Sequence, residues 1–155
     1  MPSTAKARSS YHHGNLAAAL ISKGRELLAQ NAIEKVTIAK LAKQLNVSAA
    51  AVYRHFADRE ALIDALAESA LQELIAVTNS QQQLHHNDLE QALVASSLAY
   101  LRFAKQNPHA YELIHKQFVK SEKRHPRHPD DHGRFAPAIA LIEKLLANHK
   151  VDTSQ

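Results

Sequence analysis

Tyr53, Arg54, His55 and Arg59 set four hydrogen-bond donors within seven residues, directly behind Ala49, Ala50 and Ala51. Donors without an adjacent nucleophile or paired acid suit the gripping of phosphate oxygens better than the breaking of bonds. No phosphate-binding glycine loop, nucleophile elbow or zinc-binding helix motif occurs, so the sequence predicts no enzyme and no cofactor. A second chemistry lies in His125, His128 and His132 beside Asp130 and Asp131, drawn from eleven histidines in the chain. These groups offer metal ligands, or at the extreme a metal-dependent hydrolase. Against that stands the proline-broken character of the segment, since ligating side chains need a rigid scaffold.

The donors must be positioned by helices. Thr37 can cap one whose inward residues are Ile38, Leu41, Ala42 and Leu45. Asn46 falls where a left-handed backbone is wanted, and asparagine tolerates it. Ser48 then caps a second helix, with Val47 and Val52 at the spacing of a hydrophobic staple. Val52 and Phe56, four apart, face the core, so Ala49, Ala50, Tyr53 and Arg54 turn outward. Two short helices joined by a tight turn predict a helix-turn-helix over residues 38–57, its second helix suited to the DNA major groove. The competing reading is a small helical hairpin with a solvated polar face.

Charge agrees with nucleic acid. Residues 1–66 hold nine Lys and Arg against five Asp and Glu, whereas residues 67–155 hold ten of each. The whole positive excess lies with the helix-turn-helix, as an electrostatic footprint on phosphate requires. Residues 1–12 read as a flexible basic arm carrying Lys6 and Arg8, either solvated or laid along the DNA backbone or minor groove. The absence of cysteine excludes disulfides and fits a reducing cytoplasm. No apolar run approaches bilayer length, and no membrane partner is expected.

Only three glycines and no alternating pattern argue for an all-α chain. Gly14 and Asn15 open a first helix ending near Asn31. Asp58 caps a long helix predicted to run to about Val77, followed by a polar connection, TNSQQQLHHN. Asp88 with Gln91 predicts a capping box and a helix to about Gln106. Asn107-Pro108 predicts a cap and a helix to about Lys120. A final helix is expected from near Ala136 to about Asn148. The domain reading is a DNA-binding unit over 13–60 and a helical regulatory or dimerisation unit over 61–155.

The run from YHHGNL through VTIAKLAKQLNVSAAAVYRHFADREALI resembles the DNA-binding head of the tetracycline-repressor (TetR) family of bacterial transcriptional regulators. The VT start, the VS turn, the YRHF run and the basic residue beyond it fall in register, and YHHGNL is similar to the opening of one subgroup. Asn31 and Asn46 stand where the family has glycines, and both are compatible with positive φ. The resemblance implies that Thr37, Tyr53, His55 and Arg59 contact phosphates. It places Ser48, Ala49, Ala50 and Ala51 toward the bases, with Arg54 at the groove edge. Alanines read little beyond thymine methyls, whereas Arg can take guanine O6 and N7 together. The bland alternatives are packing of Tyr53 against the head and a helix-end role for His55.

The resemblance also implies a homodimer on palindromic double-stranded DNA in a bacterial cytoplasm, released by a small hydrophobic or amphipathic effector. A pocket for that effector is expected from Leu93, Leu98, Leu101, Phe103, Tyr111, Ile114, Phe118 and Ile139. YLRFAKQNPHAYELI resembles the middle of the family's regulatory domain. Family members continue further, so the C-terminal unit is expected to be shortened, leaving an apolar stripe at Ile139, Ile142, Leu145 and Leu146. A nucleoid-associated or protein-interacting member of the same fold, without a promoter target, is the alternative.

Overall fold

The computed structural model describes residues 16–124 and Lys144, and among these the regular structure is helical, with no strand. The helices are α1 (Leu16–Gln30), α2 (Ile38–Gln44), α3 (Ala49–Tyr53), α4 (Arg59–Leu84), α5 (Leu89–Gln106) and α6 (Pro108–Arg124), with a 3-10 turn at Ile33–Lys35. The expected final helix, the basic arm and the histidine-rich stretch at 125–132 lie outside the described residues. No described helix is long and apolar enough to cross a membrane.

Helix α1 buries Leu16, Leu20, Gly24, Leu27 and Leu28, a stripe at helical spacing. Gly24 is there because α4 comes close: a Cβ at this position would lie 2.7 Å from a methyl of Leu66, itself fully buried. Arg25 reinforces the crossing, donating to the Ser69 hydroxyl at 3.3 Å and pairing with Glu73. The end of α1, near Asn31 as expected, closes through a side chain. Asn31 does not adopt positive φ; among the described non-glycine residues only Asn46 does. Its side-chain amide donates instead to the Leu27 carbonyl at 3.0 Å, satisfying a carbonyl left open by the helix end.

Helix α4 is the spine. Asp58 caps it through a 2.7 Å bond from the Ala61 N–H, with Glu60 in the first turn. Its 26 residues give a length of about 39 Å. The helix continues seven residues past the expected end at Val77. The segment TNSQQQL contains no glycine or proline, glutamine favours helix, and the Thr78 and Ser80 hydroxyls bond back to carbonyls in the preceding turn.

Asp88 caps α5 at 2.9 Å from the Gln91 N–H. The capping box is half formed, since the Asp88 N–H donates to the His85 carbonyl. Asn107 holds the expected position between α5 and α6, with its side chain turned to α5. Its side chain and backbone N–H both donate to the Phe103 carbonyl and close α5, while its own carbonyl accepts the first bond of α6 from the Tyr111 N–H at 2.9 Å. Proline then occupies the first position of α6, where its missing N–H costs nothing. One apolar cluster runs from Leu16 and Leu28 through Leu41, Val52, Leu62 and Leu66 to Phe103, Leu113 and Ile114. The helix-turn-helix and the later helices therefore share a core, joined by α4.

Candidate nucleic-acid interface

The turn between α2 and α3 is fixed by local chemistry at every position. Thr37 Oγ1 accepts from the Lys40 N–H at 3.2 Å and starts α2. At its far end the Val47 N–H reaches the Ala42 carbonyl at 2.9 Å and the Asn46 N–H reaches that of Lys43 at 3.3 Å. Those two bonds, with Asn46 at φ 53°, form a Schellman ending. Ser48 Oγ then accepts from the Ala51 N–H at 3.1 Å and starts α3. Val47 packs against the core that holds Val52 and Phe56, as the staple requires.

With Val52 and Phe56 buried, the opposite side of α3 is presented to solvent. Ser48, Ala49, Ala50, Tyr53, Arg54 and His55 are exposed, Tyr53 by 52 %. Ala51 departs from the expected base-facing set: it is half-buried against the core. A helix turns about 100° per residue, so the residue beside Val52 is carried toward the core's edge. Thr37 is half-buried at the start of α2, its oxygen already used as a cap.

Arg59 has a task not visible in the sequence. Its Nε donates to the Val36 carbonyl at 3.0 Å and one terminal nitrogen to the Ile33 carbonyl at 2.7 Å. Two of its five donors thus clamp the first turn of α4 to the 3-10 turn ahead of α2. Arg59→Ala is expected to lower unfolding free energy by about 1–3 kcal/mol. Lysine at 59 should recover only part of that, lacking the planar fork. Chemical denaturation checks this; unchanged stability with weakened DNA binding would leave Arg59 a phosphate ligand alone. Lys40 and Lys43 on α2 went unnoticed individually, although the charge excess of residues 1–66 contains both. The first helix of a helix-turn-helix crosses the DNA backbone, so cations there suit phosphate.

A second concavity lies among α4, α5 and α6, with a volume of about 450 Å³, within the size range of small-molecule sites. Of the residues expected to line it, Leu93, Leu101 and Ile114 do. Phe103 does not: it is buried in the core, about 200° around α5 from Leu101. Tyr111 does not line it either, because its ring stands edge-on to Tyr100, centroids 5.8 Å apart, and rests on His115 at 4.4 Å. Leu98 is exposed outside the lining. The side chain of Phe118, and all of Ile139, lie outside the described residues. The α4 wall, including Leu71, Leu74, Ile75 and Thr78, was missed. Its stripe at 71, 74, 75, 78 and 82 has helical spacing, but Thr78, Asn79 and Gln82 join it only if α4 is carried past Val77.

Caps, turn, buried staple and exposed donor-rich second helix together define a helix-turn-helix head of the DNA-binding kind. Residues 20–66 match the family model of the bacterial regulatory proteins of the tetR family. The chain is 43% identical over 54 residues, 35% of its length, to a tetracycline repressor protein class G of Vibrio anguillarum. It is 26% identical over 121 residues, 78% of its length, to the nucleoid occlusion factor SlmA of Shewanella baltica. These matches span 26% and 58% of the two relatives. No solved structure matches the chain.

Proposed function

We propose that this chain is a bacterial transcriptional regulator that binds a palindromic operator as a homodimer and is released by a small effector. The observation that carries the reading is the exposed face of α3, small at Ala49 and Ala50 and donor-bearing at Tyr53, Arg54 and His55. The small first turn lets the helix approach the bases, while the donors meet phosphates. Arg54 is the side chain best suited to read a base. Arg54→Ala should relax preference at one or two base positions, with a cost of about 1–3 kcal/mol at the preferred site. Uniform weakening across all sequences would refute that role for Arg54. Competition binding against a panel of single-base variants of an enriched duplex distinguishes the two.

Release requires that the effector bind two arrangements of the head with different affinity. The cavity is suitably connected. Helix α6 lines it at Ile114 and His115, and further along the same helix Lys120 pairs with Glu60 in the first turn of α4. Glu60 adjoins Arg59, whose guanidinium holds the turn ahead of α2. A displacement of α6 by a ligand would thus be felt at the helix-turn-helix.

A second reading is favoured by the extent of one match. The similarity to the nucleoid occlusion factor covers 78% of the chain, well past the head. On that reading the protein binds DNA without controlling a promoter. Mapping its sites on a bacterial chromosome separates the two: sites clustered at promoters support regulation, and dispersed sites support the alternative.

A further inference from the structure

The chemistry of the cavity lining narrows what it can hold. Its apolar floor is built from Leu71, Leu74, Leu93 and Ile114, and among the described residues no Lys, Arg, Asp or Glu lines it. Polarity is confined to hydrogen-bonding groups. The Thr78 hydroxyl is occupied by the Leu74 and Ile75 carbonyls, and the buried Ser96 hydroxyl by the Leu93 carbonyl. Tyr100 and His115 face one another, with Tyr100 Oη 3.4 Å from His115 Nε2 and 3.1 Å from the Tyr111 hydroxyl. The Asn79 and Gln82 carboxamides, on the α4 wall, carry no side-chain hydrogen bond among the described residues. A carboxamide offers both a donor and an acceptor, but no charge.

An ion entering such a site would surrender its hydration and find no opposite charge, a strongly unfavourable exchange. An uncharged polar group would lose water but gain the amides. We propose that the cavity takes an uncharged amphipathic molecule, with an aliphatic or alicyclic body on the leucine floor and one alcohol or carbonyl group at the Asn79 and Gln82 amides. The inference rests on the effector-responsive reading above and specifies the class of effector.

The test uses the whole 155-residue chain and three probes matched in carbon number: 1-decanol below its aqueous solubility limit, and decanoate and decylammonium below their micelle concentrations. Calorimetric titration gives their affinities, repeated on Leu93→Trp, which fills the cavity from a half-buried position. The expected result is that decanol binds roughly tenfold or more tighter than either charged homologue. Leu93→Trp should remove that binding while the melting transition is kept. Decanoate or decylammonium binding as tightly as decanol would overturn the uncharged class and leave the cavity as an effector site. No binding by any probe, or binding unchanged in Leu93→Trp, would overturn the inference and the effector-responsive reading together.

Discussion

Ala50→Glu is expected to abolish DNA binding, lowering affinity by roughly a hundredfold or more, while leaving the fold intact. Ala50 is exposed in the first turn of α3, two residues past the Ser48 cap. A carboxylate there would be driven against the phosphates and the acceptor-rich edges of the bases. The fold has no reason to object, because a negative charge near a helix N-terminus is mildly favourable. Fluorescence anisotropy with a labelled duplex should show the loss, and the melting temperature should move by no more than about a degree or two. Unchanged affinity would mean that α3 does not face the DNA. The matched single-charge change Gln91→Glu, exposed on α5 outside the helix-turn-helix, provides the comparison for charge alone.

Leu66→Ala should be the most damaging single change to stability. Leu66 is fully buried, sits under Gly24 of α1, and lies on the helix that joins the head to the later helices. Truncating a buried leucine leaves a cavity and costs about 3–5 kcal/mol, a large share of the roughly 5–15 kcal/mol available to a domain. For a chain of this size the melting temperature should fall by about 10 °C. The pair with Gly24 sharpens the prediction. Gly24→Ala alone forces a methyl group into Leu66 and should destabilise by overpacking. In the Leu66→Ala background the same methyl enters vacated space, so the double variant should be more stable than the sum of the two losses predicts. Simple additivity would show that α1 and α4 do not touch at this point.

The helix-turn-helix was legible because its signals are local. Thr37, Ser48 and Asp58 each cap a helix with their own side chain, and Asn46 takes the left-handed conformation that few other residues accept. Signals that rely on distant partners were not legible. The clamp from Arg59 reaches carbonyls 23 and 26 residues earlier, and nothing in the local run announces it. Asn31 shows how one residue type admits two solutions to the same problem. A helix end can be closed by positive φ or by a side-chain amide, and here the amide does it. The length of α4 was misjudged because Thr, Ser, Asn and Gln look like a connection when counted by polarity. Their hydroxyls and amides are compatible with helix when no glycine or proline interrupts them. The same reading left out the polar end of the cavity's α4 wall, Thr78, Asn79 and Gln82. The α5 contribution was partly legible, through Leu93 and Leu101, whereas Phe103 is core and Tyr111 is held by its neighbours.

The functional account links these features in one chain of contacts. Ligand-sized space between α4, α5 and α6 adjoins α6; Lys120 of α6 pairs with Glu60; Arg59 beside it holds the turn that leads into α2. Each contact is ordinary, and their order runs from the cavity to the DNA-facing helix.

The central claim is that α3 reads DNA sequence, and selection from a random duplex pool with the purified chain tests it most directly. The account predicts enrichment of a palindrome whose half-sites lie about one helical turn apart, or a multiple of it, as two heads of a dimer require. Ala50→Glu should enrich nothing. Recovery of duplexes without any shared sequence, or the same enrichment by Ala50→Glu, would contradict it.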